Sequence, residues 1–202
     1  MRDKQKEETR KRLYQAAIEI FARDGVHACR IEDIAQLADV SRAAFYFHFP
    51  SKDDVLLELL RDSEDQICAD IEGLPTNVSL KQLLETFISS TARYWMHERR
   101  RKLVTDMFVV SLRRNSLAAD REAEQVRAVM GRRFQTVADR GELSPLIPAE
   151  MLCDFYLMEC FAVMAAWGAQ PVMPLEDMFR AMTILFMNGA RNPTAPAFSL
   201  DT

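Results

Sequence analysis

One stretch decides the fold: residues 34–55 read IAQLADVSRAAFYFHFPSKDDV. Just before and within its first part, apolar residues recur at the i, i+3, i+4, i+7 spacing of an amphipathic helix: Ile31, Ile34, Ala35 and Ala38. The pattern breaks at residues 39–40, which ends the first helix. Ser41 is a residue type that caps helices and can begin a second helix, which ends before Pro50 because proline cannot continue it. The stretch therefore predicts two short helices joined by a tight turn, which is a helix-turn-helix unit.

The second of these helices is predicted to have two different faces. Val40, Phe45 and Phe49 can point inward, and the outward set is Arg42, Ala43, Ala44, Tyr46 and His48. Two adjacent alanines keep the outer face flat enough to enter the major groove of DNA, where Arg42 can reach guanine. A solvated amphipathic helix is the alternative, but the aromatic run at 46–49 is too large to be hidden on one short helix and favours a partner.

The same residues resemble the signature of the TetR family of bacterial transcriptional regulators. In rough form that signature is I-A-x-x-A-G-V-S-x-G-T-hydrophobic-Y-x-[HY]-F-x-x-K-x-x-L, and it aligns with residues 34–55. Upstream, Ala16, Ala17, Phe21 and Gly25 match the first helix of the family, so the matched region covers about a quarter of the chain. The resemblance implies an all-α protein with a DNA-binding head and a helical body that binds a ligand and dimerises.

The resemblance also implies roles for individual residues of the head. Arg42, Ala43 and Ala44 stand where family members read bases, and Tyr46 and His48 match phosphate-contacting positions. Lys52 opens the next helix, whose N-terminus can hold a phosphate as well. The predicted DNA-binding set is Arg30, Ser41, Arg42, Ala43, Ala44, Tyr46, Phe47, His48 and Lys52.

Three positions depart from the family pattern. Asp39 replaces the glycine of the turn, and aspartate tolerates a left-handed conformation better than most residues. Arg30 replaces the Thr or Ser that opens the second helix, so a helix cap is lost and a phosphate contact can be gained. Ala43 and Ala44 replace a Gly-Thr pair, which removes a hydroxyl and changes the operator sequence that we expect rather than DNA binding itself.

The charge of the chain is unevenly distributed. The 202 residues carry a net charge of −4, but residues 1–52 hold ten basic and eight acidic side chains, whereas residues 53–202 hold sixteen and twenty-two. This asymmetry is the one expected of a basic head on an acidic body. The first twelve residues hold six basic side chains against three acidic ones, and this arm either enters the minor groove or is a solvated tail.

The remainder of the chain reads at the helical period, which brings the predicted count to nine helices with no strand. The predicted domains are a head at 1–51, a ligand-binding and dimerisation body at 52–192 and a flexible tail at 193–202. The body helices are expected near 52–71, 79–97, 100–113, 119–140, 148–167 and 174–190. The longest apolar stretches are shorter than a membrane span and the N-terminus has no signal peptide pattern, so a cytoplasmic protein without a membrane partner is expected.

The last two helices are apolar on most sides, which predicts that they are buried on most sides. A homodimer explains this better than a central core helix in a monomer, and the predicted interface is Leu152, Tyr156, Phe179, Met182 and Phe186. The resemblance implies a pocket for a small organic effector, with candidate linings Phe87, Tyr94, Met107, Phe108, Met130, Phe134, Phe155, Met158 and Trp167. Arg93 and Glu159 lie near these apolar faces and could orient the effector.

Two other classes of function compete with a ligand-controlled regulator that binds double-stranded operator DNA. An enzyme is disfavoured, because the chain has no P-loop, no dinucleotide fingerprint, no nucleophile elbow and no metal-binding histidine motif, so no catalytic residue, metal or cofactor is predicted. The second competing class is a helical DNA-binding or scaffold protein without an effector.

The four cysteines form no C-x-x-C pair and suggest reduced thiols, although Cys153 and Cys160 share a helix face that a redox sensor could use.

Overall fold

The computed structural model describes residues 2–96, 100–113 and 123–190, and in this part of the chain it contains nine α-helices and no strand. The helices are α1 Arg2–Asp24, α2 Ile31–Leu37, α3 Arg42–His48, α4 Lys52–Glu72, α5 Leu80–Trp95, α6 Arg101–Arg113, α7 Ala123–Asp139, α8 Ala149–Ala169 and α9 Leu175–Ala190. The predicted all-α fold class is confirmed. The predicted tail at 193–202 and the helix start placed at Ala119 lie outside the described residues.

The basic N-terminal arm is part of a helix. Because α1 begins at Arg2, residues 2–12 continue without a break into the apolar stripe that starts at Leu13. The helix ends where the sequence predicts: Gly25 adopts a φ of +86°, and its N–H donates to the carbonyl of Phe21 over 2.8 Å. A left-handed residue at this place terminates a helix at little steric expense only if it is glycine.

The described residues within 1–63 and 95–119 form one compact unit, and those within 64–94 and 120–202 form a second. The first unit extends beyond the predicted head boundary at residue 51, because the first half of α4 is fastened to α1. Arg10 forms a two-pronged ion pair with Glu58, and the Tyr14 hydroxyl donates to Asp62 over 2.7 Å. The core of this unit combines fully buried side chains from α1, α2, α3 and α4: Leu13, Phe21, Ile34, Phe45, Phe49, Leu56 and Leu59.

The second unit is centred on four aromatic rings from four helices. Tyr156 of α8 lies 5.8 Å from Phe87 of α5, 6.2 Å from Phe134 of α7 and 5.0 Å from Phe186 of α9, measured between ring centroids. The Tyr156 hydroxyl is satisfied by Thr183 at 3.2 Å, which keeps this buried polar group paired. These contacts determine which sides of α8 and α9 face the interior of the chain.

Among the described helices, α8 alone is long and apolar enough to meet the length and composition criteria of a membrane span, which the sequence expectation had not included. Core helices of water-soluble proteins meet the same criteria. One side of α8 is buried within the second unit, through residues such as Leu152, Tyr156, Cys160 and Met164. Its apolar character therefore has an explanation in packing.

Candidate nucleic-acid interface

The turn between α2 and α3 has the geometry that the sequence predicts. Asp39 is left-handed, with a φ of +54°, and is the one described non-glycine residue with a positive φ. The N–H of Asp39 donates to the carbonyl of Gln36 over 3.1 Å, and the N–H of Val40 donates to the carbonyl of Ala35 over 2.9 Å. Both bonds close the end of α2, so that the chain reverses within a few residues and α3 can begin at Arg42.

The start of α3 is capped as expected and its back is buried as expected. The Ser41 side chain accepts a hydrogen bond from the Ala44 N–H over 3.1 Å, whereas Arg30 makes no such bond at the start of α2. Phe45 and Phe49 are buried, with ring centroids 5.9 Å apart. This packing fixes the rotation of α3 about its axis and determines which residues face outward.

The outward face of α3 contains most of the predicted DNA-binding residues. Arg42, Ala43 and Tyr46 are exposed, and Phe47 is 70% exposed, which is unusual for a phenylalanine. Ala44 and His48 are half-buried at the edge of this face. The structure therefore brings together the residues of α3 that the sequence singled out and leaves an aromatic ring in solvent, as expected of a helix surface with a missing partner.

An acidic residue that sequence analysis did not single out lies against Arg42, the arginine predicted to read bases. Glu32, in the first turn of α2, forms an ion pair with the Arg42 guanidinium at 3.0 Å and lies 3.9 Å from Arg30. Arg42 also donates to the Tyr46 hydroxyl over 3.4 Å and lies 5.6 Å from the centre of that ring. The hydrogen bond to Tyr46 and the charge of Glu32 both raise the pKa of Arg42.

The first turns of α1 bring two further cations to this surface, and sequence analysis could not place them. Lys6 lies 5.2 Å from the centre of the exposed Phe47 ring, and Arg10 lies 4.7 Å from the centre of the Phe49 ring. The sequence showed only an excess of basic residues near the N-terminus, which does not say where their side chains lie. Because α1 is helical from Arg2 onward, these cations are held beside the C-terminal end of α3.

His48 is expected to be uncharged at neutral pH. Burial lowers its pKa first, and the neighbouring positive charges of Lys6 and Arg10 lower it further. Its Nδ1 atom is buried and has no hydrogen-bond partner among the described residues. A neutral imidazole has one N–H group, and in the tautomer that leaves the buried Nδ1 without a proton, Nε2 can offer a phosphate one hydrogen bond rather than a positive charge.

Lys52 has a structural role in addition to the predicted phosphate contact. Its ammonium donates to the carbonyls of Val26 over 2.6 Å and Cys29 over 2.8 Å, which fastens the α1–α2 loop to the start of α4. An ammonium has three N–H donors, so two are used here and one is left for a phosphate oxygen. The sequence motif predicts the position of Lys52 but not this tie.

The predicted effector residues are distributed over both compact units and differ in burial. Met107 and Phe108 are buried in the first compact unit, while Phe87, Met130, Phe134 and Trp167 are buried in the second, where Tyr94 is half-buried. Phe155 and Met158 lie instead on the outer side of α8, 46% and 67% exposed. Their orientation follows from the burial of Tyr156 between them, since neighbouring positions on a helix point in different directions.

The predicted dimer residues are mostly buried within the chain, and two of them, Leu152 and Phe186, also line a groove on the outer surface of α8 and α9. Leu152, Tyr156, Phe179 and Phe186 are buried within the chain, and Met182 is half-buried. The outer surface of α8 and α9 forms an open groove of about 430 Å³, lined by Phe155, Met158, Leu185, Gly189 and Glu159 among others. Burial raises the pKa of Glu159, which is the one charged side chain among the described residues of that lining.

The cysteines and candidate metal ligands show no assembled site in the described residues. All four cysteines are buried, burial raises the pKa of Cys153 to about 12, and it raises that of Cys160 as well. Thiols that are buried and protonated are poor nucleophiles. In residues 2–96, 100–113 and 123–190, no group of three or more His, Cys, Asp or Glu side chains could hold a metal ion.

Comparison with known proteins also finds a similarity to the TetR family in the head of the chain. Residues 13–59 match the family model described as bacterial regulatory proteins, tetR family. The chain is 33% identical over 109 residues to the HTH-type transcriptional regulator AcrR of Shigella flexneri, a match that covers 50% of this chain and 49% of that relative. It is 26% identical over 165 residues to the regulator UidR of Escherichia coli strain K12, covering 78% of this chain and 80% of that protein.

A solved structure extends the likeness of fold to most of the chain. The TetR-family repressor FadR of Thermus thermophilus, crystallised with lauroyl-CoA, is similar with a TM-score of 0.67 at 22% sequence identity, covering 94% of this chain and 100% of that one. At this identity the similarity supports the fold. The similarity of sequence to this family rests instead on the match of residues 13–59 and on the sequence relatives.

Proposed function

Because this chain belongs to the TetR family of bacterial transcriptional regulators, we propose that it is a homodimeric repressor which binds operator DNA through α3 and leaves it when a small effector binds. The observation that carries the proposal is the outer face of α3. Arg42, Ala43 and Tyr46 are exposed there on a helix that is fixed in rotation by Phe45 and Phe49. A helix of this kind fits the major groove, where Arg42 is suited to guanine O6 and N7.

The surrounding residues supply sequence-independent attraction. Lys6, the third N–H of Lys52 and the neutral imidazole of His48 can each bind a phosphate oxygen, and such contacts set the register of the protein on the duplex. Ser41 and Phe47 lie at the two ends of α3, where the backbone of the DNA passes in a helix-turn-helix complex. Arg30, at the N-cap of α2, is the remaining member of the proposed contact set.

A second copy of this chain is the proposed partner of the outer face of α8 and α9. One copy reads one half-site, and two half-sites about 34–36 Å apart require a dimer. The groove on this face exposes the apolar side chains of Phe155, Met158 and Leu185 within one chain. Monomeric proteins rarely expose contiguous apolar surface of this kind to water. The interface is therefore proposed to contain these three residues together with Leu152 and Phe186, which line the same groove, while Tyr156 and Phe179 support it from within each protomer.

The proposed effector is a small apolar or amphipathic compound. Its binding site is the interior of the second compact unit, where Phe87, Met130 and Phe134 are buried among apolar neighbours. An acyl-CoA is one chemical class to test, since the similar FadR of Thermus thermophilus was crystallised with lauroyl-CoA. An effector can release DNA only if it binds the DNA-free conformation more tightly than the DNA-bound one.

A regulator without an effector is the second candidate, and one observation favours it. Within the cluster, Tyr156 contacts Phe87, Phe134 and Phe186, and Phe134 also contacts Phe186, with ring centroids 5.0 to 6.3 Å apart in these four pairs. An effector must therefore displace or rearrange part of this cluster. Thermal unfolding separates the two candidates, because a compound that binds the folded state raises the melting temperature.

Footprinting on the DNA that flanks the gene of this protein tests the proposal. We expect a protected, nearly palindromic site, and Arg42→Ala should reduce preference for one base pair in each half-site by about 1–3 kcal/mol. Arg23→Ala is the matched control, because Arg23 is also an exposed arginine paired with an acid but lies at the far end of α1. Equal base preference in the wild type and Arg42→Ala would remove Arg42 from base recognition.

A further inference from the structure

We propose that Glu32 determines the sequence specificity of this protein by holding the guanidinium of Arg42 in position for one base pair, at the expense of affinity for DNA of arbitrary sequence. This inference rests on the proposed DNA-binding function. Its basis is the ion pair that joins α2 to α3, with 3.0 Å between the Glu32 carboxylate and the Arg42 guanidinium.

The position of Glu32 is not explained by the stability of α2. Acidic residues in a first turn stabilise a helix by interacting with its dipole, but Asp33 supplies such a charge in the same turn. The Glu32 carboxylate is instead directed at two arginines, Arg42 at 3.0 Å and Arg30 at 3.9 Å. Both belong to the proposed DNA-binding set, and a negative charge between two such residues opposes attraction to phosphates.

Arg42 is held from two sides. Glu32 binds one edge of the guanidinium, and Tyr46 binds it through its hydroxyl at 3.4 Å and through its ring at 5.6 Å. A free arginine side chain loses many rotamers when it binds, so a side chain that is already held loses less. The two partners belong to different helices, and the guanidinium is therefore placed relative to the whole helix-turn-helix unit.

The same contact weakens binding to wrong sequences. Where no guanine faces Arg42, the guanidinium gains little by leaving Glu32, and the carboxylate stays close to the DNA backbone. Charges interact over about 8 Å at physiological ionic strength, so a carboxylate on the contact surface repels nearby phosphates. Specificity is a difference between two affinities, and Glu32 increases it by lowering the affinity for unmatched DNA.

Two variants of Glu32 separate position from charge. Glu32→Gln keeps the size of the side chain and removes its charge, while Glu32→Asp keeps the charge and shortens the reach by one methylene. Glu19→Gln is the matched control, since Glu19 is an exposed glutamate of α1 and the change in net charge is the same. The melting temperature of each variant is measured in the absence of DNA, so that a loss of fold is recognised.

The assay selects duplexes from a library with a randomised core and measures the affinity of each protein for the selected duplex and for one unselected duplex. For the wild type we expect a preference of about 5- to 150-fold at the base pair read by Arg42. Both Glu32 variants should lose at least about threefold of that preference, and Glu32→Gln alone should bind the unselected duplex about 1.5- to 5-fold more tightly. In an Arg42→Ala background, Glu32→Gln should change base preference no further.

Several results would overturn the inference. Wild-type base preference in Glu32→Gln would show that Arg42 needs no positioning partner. A gain in affinity that Glu19→Gln reproduces would show an effect of net charge alone, and an equal loss on all duplexes with a lower melting temperature would show a purely structural role. A wild-type protein that selects no sequence at all would refute the proposed function itself, which is a different outcome because the control variants would then show no preference either.

Discussion

Leu185 offers a direct test of the proposed homodimer. This leucine is 75% exposed on the outer side of α9, and complete burial of a leucine side chain is worth about 1.5–3 kcal/mol. Covering the exposed three quarters should therefore contribute about 1–2 kcal/mol in each protomer. A symmetric interface contains the residue twice, so Leu185→Ala should weaken dimerisation by about 2–4 kcal/mol, which corresponds to an increase of about 30- to 700-fold in the dissociation constant.

Sedimentation velocity over a range of protein concentrations measures this change without DNA. Leu37→Ala is the matched control, because Leu37 is a 50% exposed leucine at the end of α2 and lies outside the α8–α9 face. We expect the control to dimerise like the wild type. A dissociation constant for Leu185→Ala within twofold of the wild-type value, or a wild type that is monomeric at micromolar concentration, would refute the assignment of this face to a second copy.

Three further predictions concern other residues. Lys52→Ala should lower the free energy of unfolding by about 1–3 kcal/mol in urea titrations without DNA, because two carbonyls lose their charged donor, and an unchanged midpoint would contradict the tie to the α1–α2 loop. Burial lowers the pKa of His48, so on acidification below about pH 6.5 the unfolded chain takes up a proton at this residue before the folded chain does. The free energy of unfolding should therefore fall as the pH is lowered through this range, and it should fall less in His48→Gln. Identical pH profiles of the two proteins would count against a neutral His48. Cys153 and Cys160 should resist a thiol reagent at neutral pH until the protein unfolds, and rapid labelling of the native protein, located by mass spectrometry, would revive the redox alternative.

The head could be predicted from sequence because its structure depends on local chemistry. A capping serine at 41, a residue tolerant of left-handed geometry at 39 and a glycine at 25 each specify the backbone within a few residues. The spacing of the buried phenylalanines then fixes the outer face of α3. Each of these signals is readable without knowing which helices pack together, and the structure contains all of them.

The partners of the predicted DNA-binding residues could not be predicted in the same way. Glu32 and Arg42 are on different helices, and Lys6 meets Phe47 across 41 positions of sequence. Their proximity depends on the angle between helices, which the helical period does not encode. The ion pair that carries our inference on specificity therefore becomes visible only in the folded chain.

The burial of Leu152 and Tyr156 and the exposure of Phe155 and Met158 on α8 differ from the predicted orientation for a related reason. A helix with apolar residues on nearly every side has no periodic signal that distinguishes one face from another, so the sequence identified α8 as buried but could not say which residues face which neighbour. The structure resolves the ambiguity through Tyr156, whose ring is committed to the interior cluster and whose hydroxyl is bonded to Thr183. Once that side is turned inward, Phe155 and Met158 must face away from it. Substituting Tyr156 should consequently unfold the second unit, whereas substituting Met158 should separate protomers that remain folded, and the two kinds of variant distinguish the interior of the body from its interface.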